Sequence, residues 1–92
     1  MSEPEGDSLR VDRLLVYLRF ARTRSAARAM IEGRSLRLNR KHVRRVSETV
    51  GIGDVLTLLV GNEIKVIEVT SLPSRRASPA LAQTFYRELA RN

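Results

Sequence analysis

The sequence predicts an α+β domain: two packed helices first, a small, mostly antiparallel sheet after them, and a further helix at the C-terminus. Two observations carry this reading. Apolar residues recur at helical spacing as far as Ile31 and shift toward strand spacing from Leu36 to Val69. Glycines and short polar runs fall where the period changes. With 92 residues, 42% of them hydrophobic, the chain has material for one core and too little for two.

Val11, Leu14, Leu15 and Leu18 stand at i, i+3, i+4 and i+7, the stripe of a helix with one buried face. Asp12 falls in its first turn, where a carboxylate complements the helix dipole. A second helix starts at Thr23, a capping residue type, and stops at Gly33, the expected left-handed residue. Ala26, Ala27, Met30 and Ile31 form its buried side, and the small alanines let two helices approach closely. Phe20-Ala21-Arg22 leaves room only for a tight turn between them.

Leu36 and Leu38 flank Arg37, which predicts a short strand with one apolar and one basic face. A turn at Asn39-Arg40-Lys41 returns the chain through Val43 and Val46. Val50-Gly51-Ile52-Gly53-Asp54 reads as a glycine-dependent turn, with Asp54 bonding its own backbone. Val55 to Val60 is a strand, Gly61-Asn62 a hairpin turn and Glu63 to Val69 the returning strand. The apolar positions Ile64, Val66, Ile67 and Val69 change face midway, which predicts a bulge. After the loop Leu72 to Ala77, Ser78-Pro79 caps a helix whose packing stripe is Leu81, Ala82, Phe85, Tyr86 and Leu89. Residues 1–9 read as a disordered acidic tail, 10–72 as the domain proper, and 73–92 as a loop and helix packed on it.

Composition excludes several classes of function. The chain has no Cys, so disulfides, thiolate metal sites and Cys nucleophiles are ruled out, which suits a reducing cytoplasm. No apolar run nears the ~20 residues of a membrane span. The acidic, polar start is unlike a signal peptide. The single histidine, His42, sits in a basic turn as an exposed bystander, and the carboxylates are dispersed. Gly51 and Gly53 lack the Lys and Ser/Thr of a nucleotide-binding loop. The sequence therefore predicts no enzyme, cofactor, metal or small-molecule substrate.

The charge is more telling. The net +7 divides along the chain as −3 over residues 1–9, +10 over residues 10–45 and 0 over residues 46–92. A concentrated block of twelve arginines and lysines repels itself and calls for a polyanion. Within it, Arg22-Thr23-Arg24-Ser25 opens the second helix, an end that prefers acidic residues. Two guanidiniums, two hydroxyls and free first-turn amides there make a phosphate site. Arg28 follows Arg24 by one turn. Arg10 and Arg13 open the first helix, Arg37 projects from its strand, and Arg40, Lys41, Arg44 and Arg45 crowd the next turn; all could converge on one surface. Arg75-Arg76 is a weak site far off in sequence. Phe20, one of only four aromatics with Tyr17, Phe85 and Tyr86, has core packing as its expected role, which leaves the basic face without a stacking platform.

The ordered series Arg10-Val11-Asp12-Arg13-Leu14-Leu15, Thr23-Arg24-Ser25-Ala26-Ala27, Ile31-Glu32-Gly33, Leu36-Arg37-Leu38-Asn39 and Val50-x-x-Gly53-Asp54 resembles the S-four RNA-binding domain, a family named for a small-subunit ribosomal protein. The stretch from Gly61 through Arg75-Arg76 to Tyr86 is similar to the ribosome-associated heat-shock branch of that family. The resemblance implies an αL motif, two helices on a small twisted sheet with RNA along the helix pair. It implies structured rRNA or tRNA as partner, at stalled large ribosomal subunits carrying peptidyl-tRNA. Arg10, Arg13, Arg22, Thr23, Arg24, Ser25 and Arg28 match its RNA-facing helical positions, and Asn39 its turn asparagine. Arg40 departs from the family's usual Gly, making the hairpin wider or strained, and Leu15-Val16 replaces tryptophan-rich sequence. Arg37, Arg40 and Lys41 complete the expected RNA-binding set. The rival reading is a DNA-binding helix-turn-helix protein; its second helix, however, offers no Asn or Gln to read adenine. A membrane-surface module fits the strands poorly.

Overall fold

The structure, a computed structural model, describes residues 8–89. Strand β1 (Ser8–Arg10) leads directly into helix α1 (Val11–Tyr17), and α2 (Arg24–Glu32) follows. Then come β2 (Leu36–Leu38), β3 (Lys41–His42), β4 (Thr49–Gly51), β5 (Val55–Val60) and β6 (Glu63–Val69). A short helix α3 (Pro79–Ala82), one 3₁₀ turn and strand β7 (Tyr86–Glu88) close the described chain. The five-stranded sheet has the order β3-β2-β5-β6-β7, every pair antiparallel, and β1 pairs with β4 beside it. The fold is α+β, as expected.

The helical stripe reads correctly: Val11, Leu14, Leu15 and Leu18 are all buried. They meet Ala27 and Ile31 from α2 and Leu36, Leu56, Leu58, Ile67 and Val69 from the inner face of the sheet. Thr23 caps α2, its hydroxyl oxygen accepting from the Ala26 amide at 3.0 Å. The left-handed residue that ends α2 is one position later than predicted. Gly33 has φ −79° and Arg34 has φ 61°. Gly33 serves another need, because a Cβ there would lie 3.1 Å from the Ala29 carbonyl oxygen.

Four further expectations are corrected. Ser8 and Leu9, assigned to the tail, form β1; residues 1–7, the rest of that tail, lie outside the described residues. No bulge interrupts β6: its pairing with β5 runs unbroken from Val55↔Glu68 to Val60↔Glu63. The change of face is real, with Ile67 and Val69 buried while Ile64 is half exposed on the outer face. The C-terminal helix stops at Ala82, and Tyr86 enters an edge strand that pairs with Val69. The Tyr86 ring also packs against Phe20 there, with centroids 5.3 Å apart. This places Phe20 in packing, as expected. Finally, His42 is half buried rather than an exposed bystander.

The Asn39-Arg40 hairpin is tight, not wide. Leu38 pairs with Lys41, so two residues make the turn, with φ 51° and 78°. Both values lie in the left-handed region that such turns require and that Arg enters only under strain.

Candidate nucleic-acid interface

The site begins with one buried carboxylate. Asp12 is 3% exposed at the first turn of α1, and three residues donate to it. Arg10 grips it with two bonds, Nε to Oδ1 at 3.2 Å and Nη2 to Oδ2 at 3.1 Å. Arg24 Nη2 reaches Oδ2 from α2 at 3.1 Å, and the Arg13 amide donates to Oδ1 at 2.8 Å. Burial by itself would raise the pKa of Asp12. The hydrogen bonds of Arg24 and Arg10, the Arg10 charge and the Arg13 amide outweigh it and hold the carboxyl below its ordinary value. It is therefore an anion at neutral pH.

Around that anion the positive charge is in excess. Arg24, Ser25 and Arg28 line an open hollow of about 370 Å³ whose floor includes Asp12. Three guanidiniums (Arg10, Arg24, Arg28) oppose one carboxylate, leaving a local balance of +2. The first amides of α2 have no intrahelical acceptor and add partial positive charge. The unfavourable pairing of arginines with a helix N-terminus is thus answered partly from inside: Asp12 neutralises Arg24. Arg22, Arg13 and Arg28 are exposed, and among the described residues no carboxylate pairs with them. Such a hollow suits a phosphate, whose oxygens take several charge-assisted bonds at once.

The expected single convergent surface is not realised. Arg37 stands opposite Thr57 and His42 on the outer face of the sheet, away from the helix pair. Arg40 borders a hollow on that same outer face with Thr57 and Val66. Lys41 is exposed at the start of β3. Asn39 is a brace. Its Oδ1 accepts from the Val55 amide at 2.9 Å and its Nδ2 donates to Asp54 Oδ1 at 3.1 Å. Asp54 in turn accepts from the Gly51 amide at 2.8 Å, so the hairpin is tied to the β4–β5 turn. That backbone role of Asp54 was expected; the tie to Asn39 was not.

The family profile of the S4 domain matches residues 9–56, which hold most of β1, both long helices, the β2–β3 hairpin and the Asp54 turn. The chain belongs to the S4 domain family. That family is an RNA-binding one. Among curated relatives, this S4 protein is 39% identical over 88 residues to the Heat shock protein 15 homolog of Haemophilus influenzae, covering 96% of this chain and 64% of that one. It is 32% identical over 90 residues to Heat shock protein 15 of Escherichia coli K12, covering 98% and 67%. Its fold superposes on the trimeric structure of Vibrio cholerae Heat Shock Protein 15 with a TM-score of 0.85 at 36% identity, over 90% of this chain and 83% of that one. The heat-shock branch of the S4 family is therefore the right one, despite the absence of tryptophan.

Two functional contributions in this S4 domain escape sequence reasoning. In the sequence Asp12 reads as a complement to the helix dipole, and its clamp on Arg24 spans twelve residues with no periodic signal. Arg19 reads as one more basic residue, yet its Nη1 donates to the Ala77 carbonyl at 3.0 Å and ties the loop before α3 to the end of α1. Among the described residues no cluster of acidic and histidine side chains could hold a metal ion, and no helix is long and apolar enough to cross a membrane.

Proposed function

We propose that this protein binds structured ribosomal RNA or tRNA through backbone phosphates and acts on the large ribosomal subunit, including stalled subunits that carry peptidyl-tRNA. The observation that carries the reading is the Asp12-centred hollow, where an ordered set of arginines outnumbers its own counter-charge at a helix N-terminus. Duplex RNA presents phosphates and 2′-hydroxyls rather than readable base edges, so a surface rich in Arg and Ser recognises it by shape. Ribosome association rests on the likeness to the heat-shock branch and implies a cytoplasmic location.

In this reading Arg10, Arg13, Arg22, Arg24 and Arg28 contact phosphates, helped by Ser25 and the amides behind Thr23. Asn39 holds the hairpin that presents Arg40 and Lys41 to a neighbouring strand, while Arg37 meets RNA only where it wraps around the sheet edge. Residues 10–72 form the RNA-binding unit and residues 73–89 pack on it; the last three residues of the predicted C-terminal segment lie outside the described residues.

The test compares a folded rRNA fragment, tRNA, duplex DNA and anionic vesicles as binding probes, alongside cosedimentation with large subunits. Preference for the folded RNAs with cosedimentation supports the reading. Equal or tighter binding to duplex DNA supports the helix-turn-helix rival and defeats it.

A further inference from the structure

The loop between β6 and α3 carries two arginines that the helix-pair interface leaves unused. Arg75 and Arg76 are exposed, and among the described residues no carboxylate pairs with either. Their backbone is nonetheless fixed. The Ala77 amide donates to the Tyr17 carbonyl at 3.3 Å, and Arg19 donates to the Ala77 carbonyl at 3.0 Å. On the other side, the Thr70 and Ser71 amides both donate to the Phe85 carbonyl, at 2.8 and 3.1 Å. Pro73 and Ala77 are buried. Residues remote in sequence thus stand at the Tyr17 end of α1, ~7–8 Å along the helix from the Asp12 cluster at ~1.5 Å per residue.

Two neighbouring guanidiniums on an ordered loop repel each other, and an anion relieves that repulsion. Arg75 and Arg76 line a hollow of about 580 Å³ together with Ser74, Ser78, Leu81 and Phe85. Leu81 is 51% exposed, so charged and hydroxyl groups face an apolar wall that lacks cover. A bare phosphate has no use for such a wall. A nucleotide uses both parts: its phosphate takes charge-assisted bonds from the guanidiniums, and its base covers apolar side chains and stacks on a ring or a guanidinium plane. A base inside a duplex is already stacked, which leaves only an unpaired one to enter.

We propose that this hollow binds an unpaired nucleotide flanking the structured RNA, with its phosphate on Arg75 and Arg76 and its base against Leu81 and Phe85. The proposal rests on the RNA-binding reading of the helix pair and extends it. The protein then recognises a junction between duplex and single strand, reading the duplex with α1 and α2 and the strand with the loop before α3.

The test is fluorescence anisotropy on the full chain with two kinds of probe, a blunt RNA hairpin and the same hairpin with a short single-stranded extension, placed at either end. The wild type binds one of the extended hairpins about tenfold tighter than the blunt one, the worth of one clamped and stacked nucleotide. Arg75→Ala with Arg76→Ala removes that preference and keeps the wild-type melting temperature. Leu81→Ser, which leaves the charge unchanged, also lowers it. Equal wild-type affinity for blunt and extended probes overturns the proposal. So does a preference that survives the double arginine variant, or one that is lost there and untouched by Leu81→Ser, which would reduce the hollow to a charge patch. Failure of the helix-pair reading looks different: Arg28→Ala then leaves binding to the blunt hairpin unchanged.

Discussion

Asp12 Oδ2 lies 3.1 Å from Arg24 Nη2, joining the first turn of α1 to the first residue of α2. The same oxygen lies 3.1 Å from Arg10 Nη2, so one buried carboxylate sets the positions of two arginines on different elements. The pairs are half in solvent on the arginine side, with side chains 41% and 55% exposed. Their attraction is accordingly screened, and their value lies in geometry more than in raw stability.

Asp12→Asn separates those two roles. It removes a negative charge from the basic face, so an account based on charge alone expects tighter RNA binding. The positioning account expects weaker binding, because Arg10 and Arg24 lose their common anchor. Folding should lose only about 1 kcal/mol, because the arginine partners are half in solvent and their attraction is screened. Affinity for a folded RNA, measured well below the melting temperature, decides between the two.

Arg24 and Arg28 stand one turn apart and should behave differently. Arg28→Ala weakens RNA binding while stability moves by no more than about 0.5 kcal/mol, as at most surface sites. Arg24→Ala weakens binding and also lowers the melting temperature, because Asp12 is left with fewer partners in a buried place. Parallel thermal melts and binding isotherms check this, and identical melting temperatures for the two variants would contradict it.

Acid should destabilise the fold in two steps. His42 is held below its ordinary value by burial and by repulsion from Arg37, Arg34 and Arg44. Its unfolded form takes up a proton first, near pH 6.5, so stability falls as pH drops below about that point. Asp12 is also depressed, so its contribution is complete above the unfolded value of about 4 and is lost as pH falls through the lower folded value. Denaturation midpoints measured from about pH 8 to about pH 2 should show both steps. His42→Gln removes the first and Asp12→Asn the second.

Arg40 is strained at φ 78°. Arg40→Gly relieves a left-handed residue and should stabilise the domain by about 1 kcal/mol, while removing a cation and weakening RNA binding slightly. A loss of stability on chemical denaturation would show that the Arg40 side chain contributes packing that outweighs its backbone strain.

The legible parts of this chain were those governed by local rules. The α1 stripe, the Thr23 cap, the Gly61-Asn62 hairpin and the Asp54 turn each follow from spacing or from one residue's backbone preference. Gly61 adopts φ 61° at the first turn position, where only a glycine is at ease. The misreadings came from long-range competition. Phe85, Tyr86 and Leu89 keep helical spacing, yet β6 offers an unpaired edge. The backbone bonds to that edge and the packing of Tyr86 on Phe20 prevail over local periodicity. The charged block was legible as a sum and illegible as a surface. Strand alternation sends Arg37 to the outer face, and nothing in composition reveals that Asp12 claims Arg24 or that Arg19 fastens the Arg75-Arg76 loop to the end of α1.

The central claim is that the arginines around α1 and α2 grip RNA phosphates, and its most direct test is the salt dependence of affinity. If about 4–6 phosphates are contacted, log K against log salt for a folded RNA should slope at roughly −3 to −5, at ~0.7–0.9 per contact. Arg13→Ala, at an exposed site on α1, should flatten the slope by about one contact's share and weaken different folded RNAs alike. Arg87→Ala, at an exposed site on β7 beside Glu68, should leave the slope unchanged. A nearly salt-independent affinity, or equal effects from the two variants, would contradict the account.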